Sequence, residues 1–208
     1  MHKDITGIIL CGGTSSRMGQ NKSLLKLGDS TIIQRVVNLM SSLFESIMIV
    51  TNTPEEYNFL HIPLYEDIYK KAGPIGGIHA GLHYATTAKN FVISCDIPLM
   101  NEGTISHIID YPTDKQITVA VADGFIQQLA GLYNQKIIPD IERIISIESI
   151  DEERNPVQQK RKCKVLQLIE SVNGEIIDIE KTYSQYIPGT FYNMNRPEEY
   201  EFIKSKIV

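Results

Sequence analysis

The chain has 208 residues, 42% of them hydrophobic and 22% charged, which is typical of a globular protein and excludes disordered, collagen-like and fibrous classes. Its 20 Lys and Arg against 25 Asp and Glu give a formal net charge of −5, so we expect neither a nucleic-acid partner nor an anionic-membrane partner. No apolar run approaches the roughly 20 residues of a spanning helix, and no signal-peptide pattern follows Met1. The 3 cysteines form no C-x-x-C pair and fit neither a disulfide framework nor a zinc site, so we expect a reducing, cytoplasmic location.

Short apolar runs alternate with amphipathic stretches through the first half of the chain. Apolar side chains recur every three or four residues through 30–43, which predicts a helix with one buried face. The run Thr53-Pro54-Glu55-Glu56 offers a cap, a proline and a glutamate where a helix would begin. The other predicted elements are strands at 5–10, 47–51, 62–65 and 91–94 and helices at 76–88 and 101–111. This alternation predicts one Rossmann-like α/β domain, a mostly parallel sheet with helices on both faces.

Beyond residue 115 the pattern changes to paired strands. The predicted elements there are strands at 117–122 and 128–133 around Asp123-Gly124, a helix at 137–147, a strand at 191–194 and a helix opening at 195–199. Residues 151–164 break the periodicity and end in a basic run. We interpret them as a loop within the single domain and not as a domain boundary.

A glycine-rich segment directly follows the first predicted strand, where an open α/β sheet binds its ligand. It reads Leu10-Cys11-Gly12-Gly13-Thr14-Ser15-Ser16-Arg17-Met18-Gly19-Gln20-Asn21-Lys22. Adjacent glycines let backbone N–H groups approach a phosphate, Arg17 can bind phosphate oxygens in a bidentate manner, and Lys22 adds a compact positive charge. The spacing matches neither a Walker loop nor the G-x-G-x-x-G dinucleotide turn. It predicts a polyphosphate-binding loop of another kind.

This loop resembles the signature L-x-[GA]-G-x-x-x-R-M-G-x-x-K of sugar-nucleotide-type nucleotidyltransferases, and its Gly-Gly form resembles the molybdenum cofactor guanylyltransferase family. Three further segments resemble motifs of that family: Gly73-Pro74-Ile75-Gly76-Gly77-Ile78, Cys95-Asp96-Ile97-Pro98 and the tail at 191–199. The chain departs from the family where Cys11 replaces the usual alanine and Arg196 the usual threonine. The resemblance implies a nucleotide-diphospho-sugar transferase fold and transfer of GMP from GTP to the terminal phosphate of molybdenum cofactor, with release of pyrophosphate.

The resemblance also implies the reacting residues. Arg17, Lys22 and Asp96 are the expected catalytic residues. Asp96 is the expected ligand of a Mg²⁺ cofactor, because a single carboxylate with water and phosphate oxygens commonly holds this ion. Asn195 or Asn193 is the expected second ligand. From the residues alone, Asp96 could equally be a turn-forming residue.

The nucleotide contacts implied by the resemblance extend to the predicted second strand and the 73–78 turn. They are Leu10, Cys11, Gly12, Gly13, Lys22, Asn52, Asp67, Gly73 and Asp96. Asp67 is expected to accept hydrogen bonds from guanine, whose two adjacent N–H groups suit one carboxylate. Asn52 could instead serve only to shape the chain at the end of its strand.

The basic run near residue 161 has two interpretations, a solvated surface or a contact with an anionic second substrate. The resemblance favours the second, and the expected contacts to molybdopterin are Arg161, Lys162, Asn193 and Asn195. Residues up to about 115 would then form the GTP-binding half of the single domain 1–208, and residues from about 116 the acceptor half. Cofactor-delivery or acceptor proteins are possible further partners.

Two other functions remain open. One is the related cytidylyl transfer. Gly12 and the 73–78 turn favour guanylyl transfer over it, because the cytidylyl relatives usually lack both. The other is a catalytically silent nucleotide-binding module on the same fold. Retention of Arg17, Lys22 and Asp96 together favours an active enzyme.

Two residue pairs have a structural and a chemical interpretation. His79 and His83 lie four apart on a predicted helix and could share a face as a zinc pair, but no third ligand is near in sequence, so we expect ordinary packing or surface placement. Cys11 and Cys95 are expected to be small buried residues, because nucleotidyl transfer needs no covalent intermediate.

Overall fold

The structure is a computed structural model, and it describes residues 1–12, 21–154, 164–194 and 197–207. Within these ranges the strands are β1 (His2–Cys11), β2 (Lys26–Leu27), β3 (Ser30–Thr31), β4 (Phe44–Thr51), β5 (Leu64–Tyr65), β6 (Lys89–Ser94), β7 (Ile117–Ala122), β8 (Phe125–Asn134) and β9 (Glu175–Asp178). The α-helices are α1 (Ile32–Leu43), α2 (Pro74–Tyr84), α3 (Glu102–Ile109), α4 (Ile138–Arg154), α5 (Lys164–Ser171), α6 (Ile179–Thr182) and α7 (Pro197–Ile207). Short 3-10 helices span Lys22–Leu24, Pro54–Glu56, Asn58–Leu60 and Gln135–Ile137.

One seven-stranded sheet runs in the order β5-β4-β1-β6-β8-β7-β9, and β2 and β3 form a separate ribbon. β5, β4, β1 and β6 are parallel, β8 is antiparallel to both of its neighbours, and β9 is parallel to β7. β7 and β8 are joined by Asp123 and Gly124, whose φ angles of 52° and 78° suit a tight hairpin turn. The predicted fold class, a mostly parallel α/β sheet, is confirmed.

Helices cover both faces of this sheet, as the alternating pattern predicted. α1, α3 and α6 pack on one face, and α2, α4 and α5 pack on the other. In α1, Thr31 and Gln34 form a capping box, and the buried stripe that follows is Ile32, Ile33, Val36, Val37 and Met40. None of the described helices combines the length and the apolar composition that crossing a membrane requires.

Gly131 of β8 lies where the antiparallel strands approach most closely, opposite Val92 and Val119. A Cβ placed there would stand 2.6 Å from the backbone oxygen of Thr118 and 2.7 Å from Cγ1 of Val119. We expect Gly131→Ala to lower the free energy of unfolding by about 1–3 kcal/mol, the usual range for overpacking. Urea unfolding measures this, with Gly12→Ala as the control because a Cβ at Gly12 meets no atom of the described residues within 4 Å. Unchanged stability of Gly131→Ala would contradict the tight strand contact.

Two helices of the first half differ from their prediction. The helix predicted from Thr53 is wrong: two 3-10 turns take its place, Thr53 makes no capping hydrogen bond with its side chain, and His61 ends the segment with a φ of 54°. The helix predicted at 76–88 begins earlier, at Pro74, because Gly73 with a φ of 74° turns the chain just before it.

The second half differs more. The strand predicted at 191–194 is wrong: Phe191 ends a turn and 192–194 have no regular secondary structure, and Phe191 and Met194 are buried in different apolar clusters. The loop predicted at 151–164 is wrong at both ends. α4 continues to Arg154, since Glu and Arg sustain a helix without an apolar stripe, and α5 begins at Lys164. The prediction also missed β2, β3, β9, α5 and α6.

Candidate active site

The carboxyl ends of β1, β4 and β6 meet at one edge of the sheet, because Leu10 pairs with Val50 on one side and with Ser94 on the other. Leu10 and Cys11 are buried at the end of β1, and Gly12 beyond them is exposed. Gly13 and Arg17, predicted to bind phosphate, lie outside the described residues. The described start of the predicted loop therefore lies where an open α/β sheet places its ligand.

Asp96 follows β6 at the same edge. Its side chain is half-buried, and its Oδ1 is buried without a hydrogen-bond partner in the described part of the chain. Burial raises the pKa of the Asp96 carboxyl, while a hydrogen bond from Ser94 and the positive charge of Lys22 act in the opposite direction. The carboxylate therefore has an oxygen available at the edge and a cation beside it.

The donor set at Asp96 fits a hard divalent cation. Among the described residues, no cluster of three or more His, Cys, Asp or Glu side chains could enclose a metal. Mg²⁺ does not need such a cluster, because it usually keeps several waters and takes one or two carboxylates plus substrate phosphates. The unpartnered Oδ1 of Asp96 is an oxygen of that kind.

Lys22 begins a 3-10 turn, and hydrogen bonds join this turn to Tyr57, which is distant in sequence. Asn21 caps this turn by accepting from the Ser23 backbone N–H (3.1 Å) and the Ser23 hydroxyl (2.8 Å). Its Nδ2 donates to the Tyr57 hydroxyl (2.8 Å), which also lies 2.9 Å from the Ser23 hydroxyl. Tyr57 is 2% exposed. Sequence reasoning missed this support for Lys22, because no local signal links positions more than 30 apart.

Two predicted nucleoside contacts, Asn52 and Asp67, come together in the structure. Asn52 donates through Nδ2 to Oδ2 of Asp67 (2.7 Å), and its Oδ1 accepts from Lys70 (2.8 Å). Asp67 also lies against the first turn of α2, since a Cβ on Gly77 would stand 3.7 Å from its Oδ1. Asn52 therefore bridges two loops and does more than shape the chain after β4.

The tail reaches the site although it is not a strand. The backbone N–H of Met194 donates to the backbone oxygen of Asp96 (3.0 Å), which places the exposed Asn193 next to the Asp96 loop. Asn195, the other predicted second metal ligand, lies outside the described residues, as do Arg161 and Lys162. Their roles stay predictions.

The two histidines of α2 differ in burial: His79 is buried and His83 is exposed. His79 is 2% exposed, its Nε2 lies 3.2 Å from Oε1 of Glu142, and its ring contacts Tyr69 edge-on. The His83 ring stacks on His79 with centroids 6.0 Å apart. These contacts agree with the expected alternatives to a zinc site, with His79 packed in the interior and His83 placed at the surface.

Cys11 ends β1, and Cys95 lies beside it in the turn that follows β6. Burial raises the pKa of the Cys11 thiol, and a hydrogen bond with Cys95 raises it further. A thiol that keeps its proton is a poor nucleophile. Cys11 is therefore a small buried residue, as predicted, whereas Cys95, predicted to be buried as well, is only half-buried because it lies in the turn beyond β6.

A mostly parallel sheet with Gly12, Lys22 and the Asp96 carboxylate near its carboxyl edge is an arrangement typical of α/β enzymes that bind nucleotides. Residues 7–162 match the family described as MobA-like NTP transferase domain. The match covers more than half of the chain, so the chain belongs to this family and is a nucleotidyltransferase.

Individual relatives agree with this family. The chain is 32% identical over 200 residues to a protein of Carboxydothermus hydrogenoformans named a probable molybdenum cofactor guanylyltransferase, with 96% of this chain and 94% of the relative covered. A protein of the same name from Clostridium perfringens strain 13 is 30% identical over 200 residues, with 95% and 96% covered. The solved structure of molybdopterin-guanine dinucleotide biosynthesis protein A from Archaeoglobus fulgidus superposes with a TM-score of 0.76 at 20% identity, with 97% of each chain covered. That likeness shows the same fold.

Proposed function

We propose that this chain transfers GMP from GTP to the terminal phosphate of molybdenum cofactor, forming the guanine dinucleotide and releasing pyrophosphate. The observation that carries the proposal is Asp96, whose buried oxygen has no partner in the described chain and whose neighbour is Lys22. Gly12, the described start of the glycine loop, follows β1 at the same sheet edge, and Asn52 and Asp67 are hydrogen-bonded to each other after β4 and β5. The names of the relatives support guanine as the base and molybdenum cofactor as the acceptor.

Guanine recognition is assigned to Asp67. Its Oδ2 already accepts from Asn52, which fixes the plane of the carboxylate, and its Oδ1 faces the first turn of α2. A carboxylate can accept from the ring N–H and the exocyclic amine of guanine together, a pair of donors that adenine and cytosine do not present. Gly73, at the start of α2, completes the nucleoside side of the site.

The triphosphate is assigned to Gly12, Arg17 and Lys22, whose backbone N–H groups and positive charges suit phosphate oxygens. Asp96 would hold Mg²⁺, with Asn193 or Asn195 as a second oxygen ligand, and the bound ion supplies polarisation of the α-phosphate. In the transfer, a terminal phosphate oxygen of the acceptor forms a bond to the α-phosphorus while the bond to the bridging oxygen of pyrophosphate breaks. The residues act by positioning and by neutralising charge.

The acceptor is assigned to the second half, from about residue 116, with residues up to about 115 holding GTP. Asn193 supports this division because the Met194 backbone is bonded to that of Asp96. We also propose that the enzyme acts in the cytoplasm, where its cysteines stay reduced, and that it exchanges its substrate and product with cofactor-delivery and acceptor proteins.

Neutralising Arg161 and Lys162 together is expected to weaken molybdenum cofactor binding and to leave GTP binding nearly unchanged. Each lost charge-assisted contact costs about 1.5–3 kcal/mol at most, and less where water screens it. Titrations of cofactor and of GTP at low and high salt measure the effect, since electrostatic capture weakens with ionic strength. A Lys3→Gln and Lys136→Gln double variant removes the same charge elsewhere and serves as the control. If the variant without the Arg161 and Lys162 charges binds molybdenum cofactor as tightly as wild type in low salt, the basic run is a solvated surface.

The proposed function is tested by incubating the protein with Mg²⁺, molybdenum cofactor and GTP, CTP or ATP in turn, followed by mass analysis of the product and assay of pyrophosphate. We expect the guanine dinucleotide and pyrophosphate with GTP only. A cytosine dinucleotide would reassign the enzyme to cytidylyl transfer. Binding of GTP without any product or pyrophosphate would make the chain a silent nucleotide-binding module.

A further inference from the structure

A cavity lies on the sheet face that α1 covers, away from the nucleoside contact Asp67. Its volume is about 280 Å³, and it is enclosed by α1 on one side and by the loop from β6 to α3 on the other. Asp67 and the first turn of α2 belong to the opposite face, because α1 and α2 pack in separate apolar clusters. The cavity is therefore not part of the nucleoside site.

Arg35 is the charged group of this cavity. Its side chain is half-buried, and its Nε is buried without a hydrogen-bond partner. No hydrogen bond or ion pair joins the Arg35 side chain to the residues that the structure describes, and the first turn of α1 contains no acidic residue. A guanidinium keeps its charge at every accessible pH, and a buried donor without an acceptor is unfavourable. An anion bound at Arg35 would supply the acceptor that the buried Nε lacks.

The remaining walls define the chemistry of the rest of the ligand. Ser30 and Asn38 add a hydroxyl and an amide, whereas the other contacts are apolar: Val36, Leu39, Ile97, Pro98 and Met100. Pockets that take small organic molecules are commonly about 300–1,000 Å³ and mostly apolar with few polar groups. At about 280 Å³ the cavity is slightly smaller than that range, which limits the ligand to about one ring and one anionic group.

We propose that this cavity binds a phosphate monoester with a compact apolar group, through Arg35. Arginine suits phosphate because its planar fork donates two parallel hydrogen bonds to phosphate oxygens. Ile97 and Pro98 directly follow Asp96 in the chain, so a ligand between them and α1 contacts the loop that carries the metal carboxylate. The inference does not rest on the proposed function, because no residue of this cavity is assigned to GTP or metal.

Phenyl phosphate is the probe, titrated by calorimetry into protein saturated with Mg²⁺ and the non-cleavable α,β-methylene analogue of GTP, so that the triphosphate site is filled. We expect phenyl phosphate to bind wild type saturably. Its affinity for Arg35→Gln should be lower by about tenfold or more, because charge-assisted hydrogen bonds are lost. Leu39→Phe, which keeps the charge and fills the cavity, should also weaken binding. Arg143→Gln, which removes an exposed arginine paired with Asp140, should leave it unchanged. Melting temperatures show that each variant is folded.

Inorganic phosphate should bind more weakly than phenyl phosphate, because it leaves the apolar walls without contacts. Titrating molybdopterin, itself a phosphate monoester, identifies the natural source of the ligand. Weaker binding of molybdopterin to Arg35→Gln would make the cavity a subsite for the acceptor, and unchanged binding would make it a site for a separate metabolite. Phenyl phosphate that binds Arg35→Gln and Leu39→Phe as tightly as wild type, or fails to bind wild type, would overturn the proposal.

Discussion

Asp96→Asn is expected to slow guanylyl transfer on the order of a hundredfold or more, because it removes the charge that would hold Mg²⁺ at the α-phosphate. The substitution keeps the size of the side chain, and Oδ1 has no hydrogen bond to lose in the described chain. The backbone contact from Met194 to Asp96 is also unaffected by the side chain. The loss should therefore appear in turnover and not in folding.

The measurement is kcat with GTP and acceptor saturating, over a range of Mg²⁺ concentrations, together with GTP affinity by calorimetry. GTP binding should be partly retained, because Lys22 and the Asn52–Asp67 pair stay in place. Asp110→Asn removes an equal charge from the exposed end of α3 and should behave as wild type. Wild-type turnover of Asp96→Asn with Mg²⁺ saturating would place the metal elsewhere.

Lys22→Ala is expected to lower kcat/KM for GTP on the order of tenfold or more, because a charge-assisted contact to the triphosphate is lost. The 3-10 turn should survive the change, since Asn21, Ser23 and Tyr57 hold it through their own hydrogen bonds. Removing Lys22 also removes the cation that lowers the pKa of Asp96. GTP should therefore bind more weakly to Lys22→Ala, and guanylyl transfer should be slower.

Initial rates at varied GTP measure this effect, and two control variants separate charge from loop shape. Lys136→Ala removes an exposed lysine just beyond the end of β8, away from the reacting edge, and should have no effect. Ser15→Ala brings no loss of charge and should change the rate much less than Lys22→Ala. Equal effects of Ser15→Ala and Lys22→Ala would mean that loop conformation, and not the lysine charge, is what matters.

Elements whose own sequence contains the packing pattern were predictable. The stripe in 30–43 and the apolar run at 5–10 became α1 and the buried middle of β1. β9 has only Ile177 fully buried among its four residues and is defined by pairing with β7, so no local period announces it. α5 does bury Val165, Leu168 and Ile169 at helical spacing, a signal hidden by the basic run before it.

The site divides in the same way. Leu10 to Gly12, Lys22 and Asp96 could be placed at one edge from the sequence, because parallel strands end together and their chemistry suits phosphate and metal. Tyr57 could not, because its partners Asn21 and Ser23 lie 36 and 34 positions away. A contact of that kind depends on the path of the chain after β4. The capping pattern at Thr53 predicted a helix there, and that prediction was wrong.

The central place of β1 in the sheet determines how destabilising mutations would lower the activity of the protein. Residues from Thr6 to Leu10 are hydrogen-bonded to strands on both sides, and Ile8 and Ile9 are fully buried. Backbone in such a position opens only with the whole domain, and its amide hydrogens exchange with solvent last. A mutation that weakens the fold elsewhere will therefore reduce the number of folded molecules long before it displaces Gly12 in those that remain. Loss of activity through instability and loss through the site itself should thus be separable by counting folded protein.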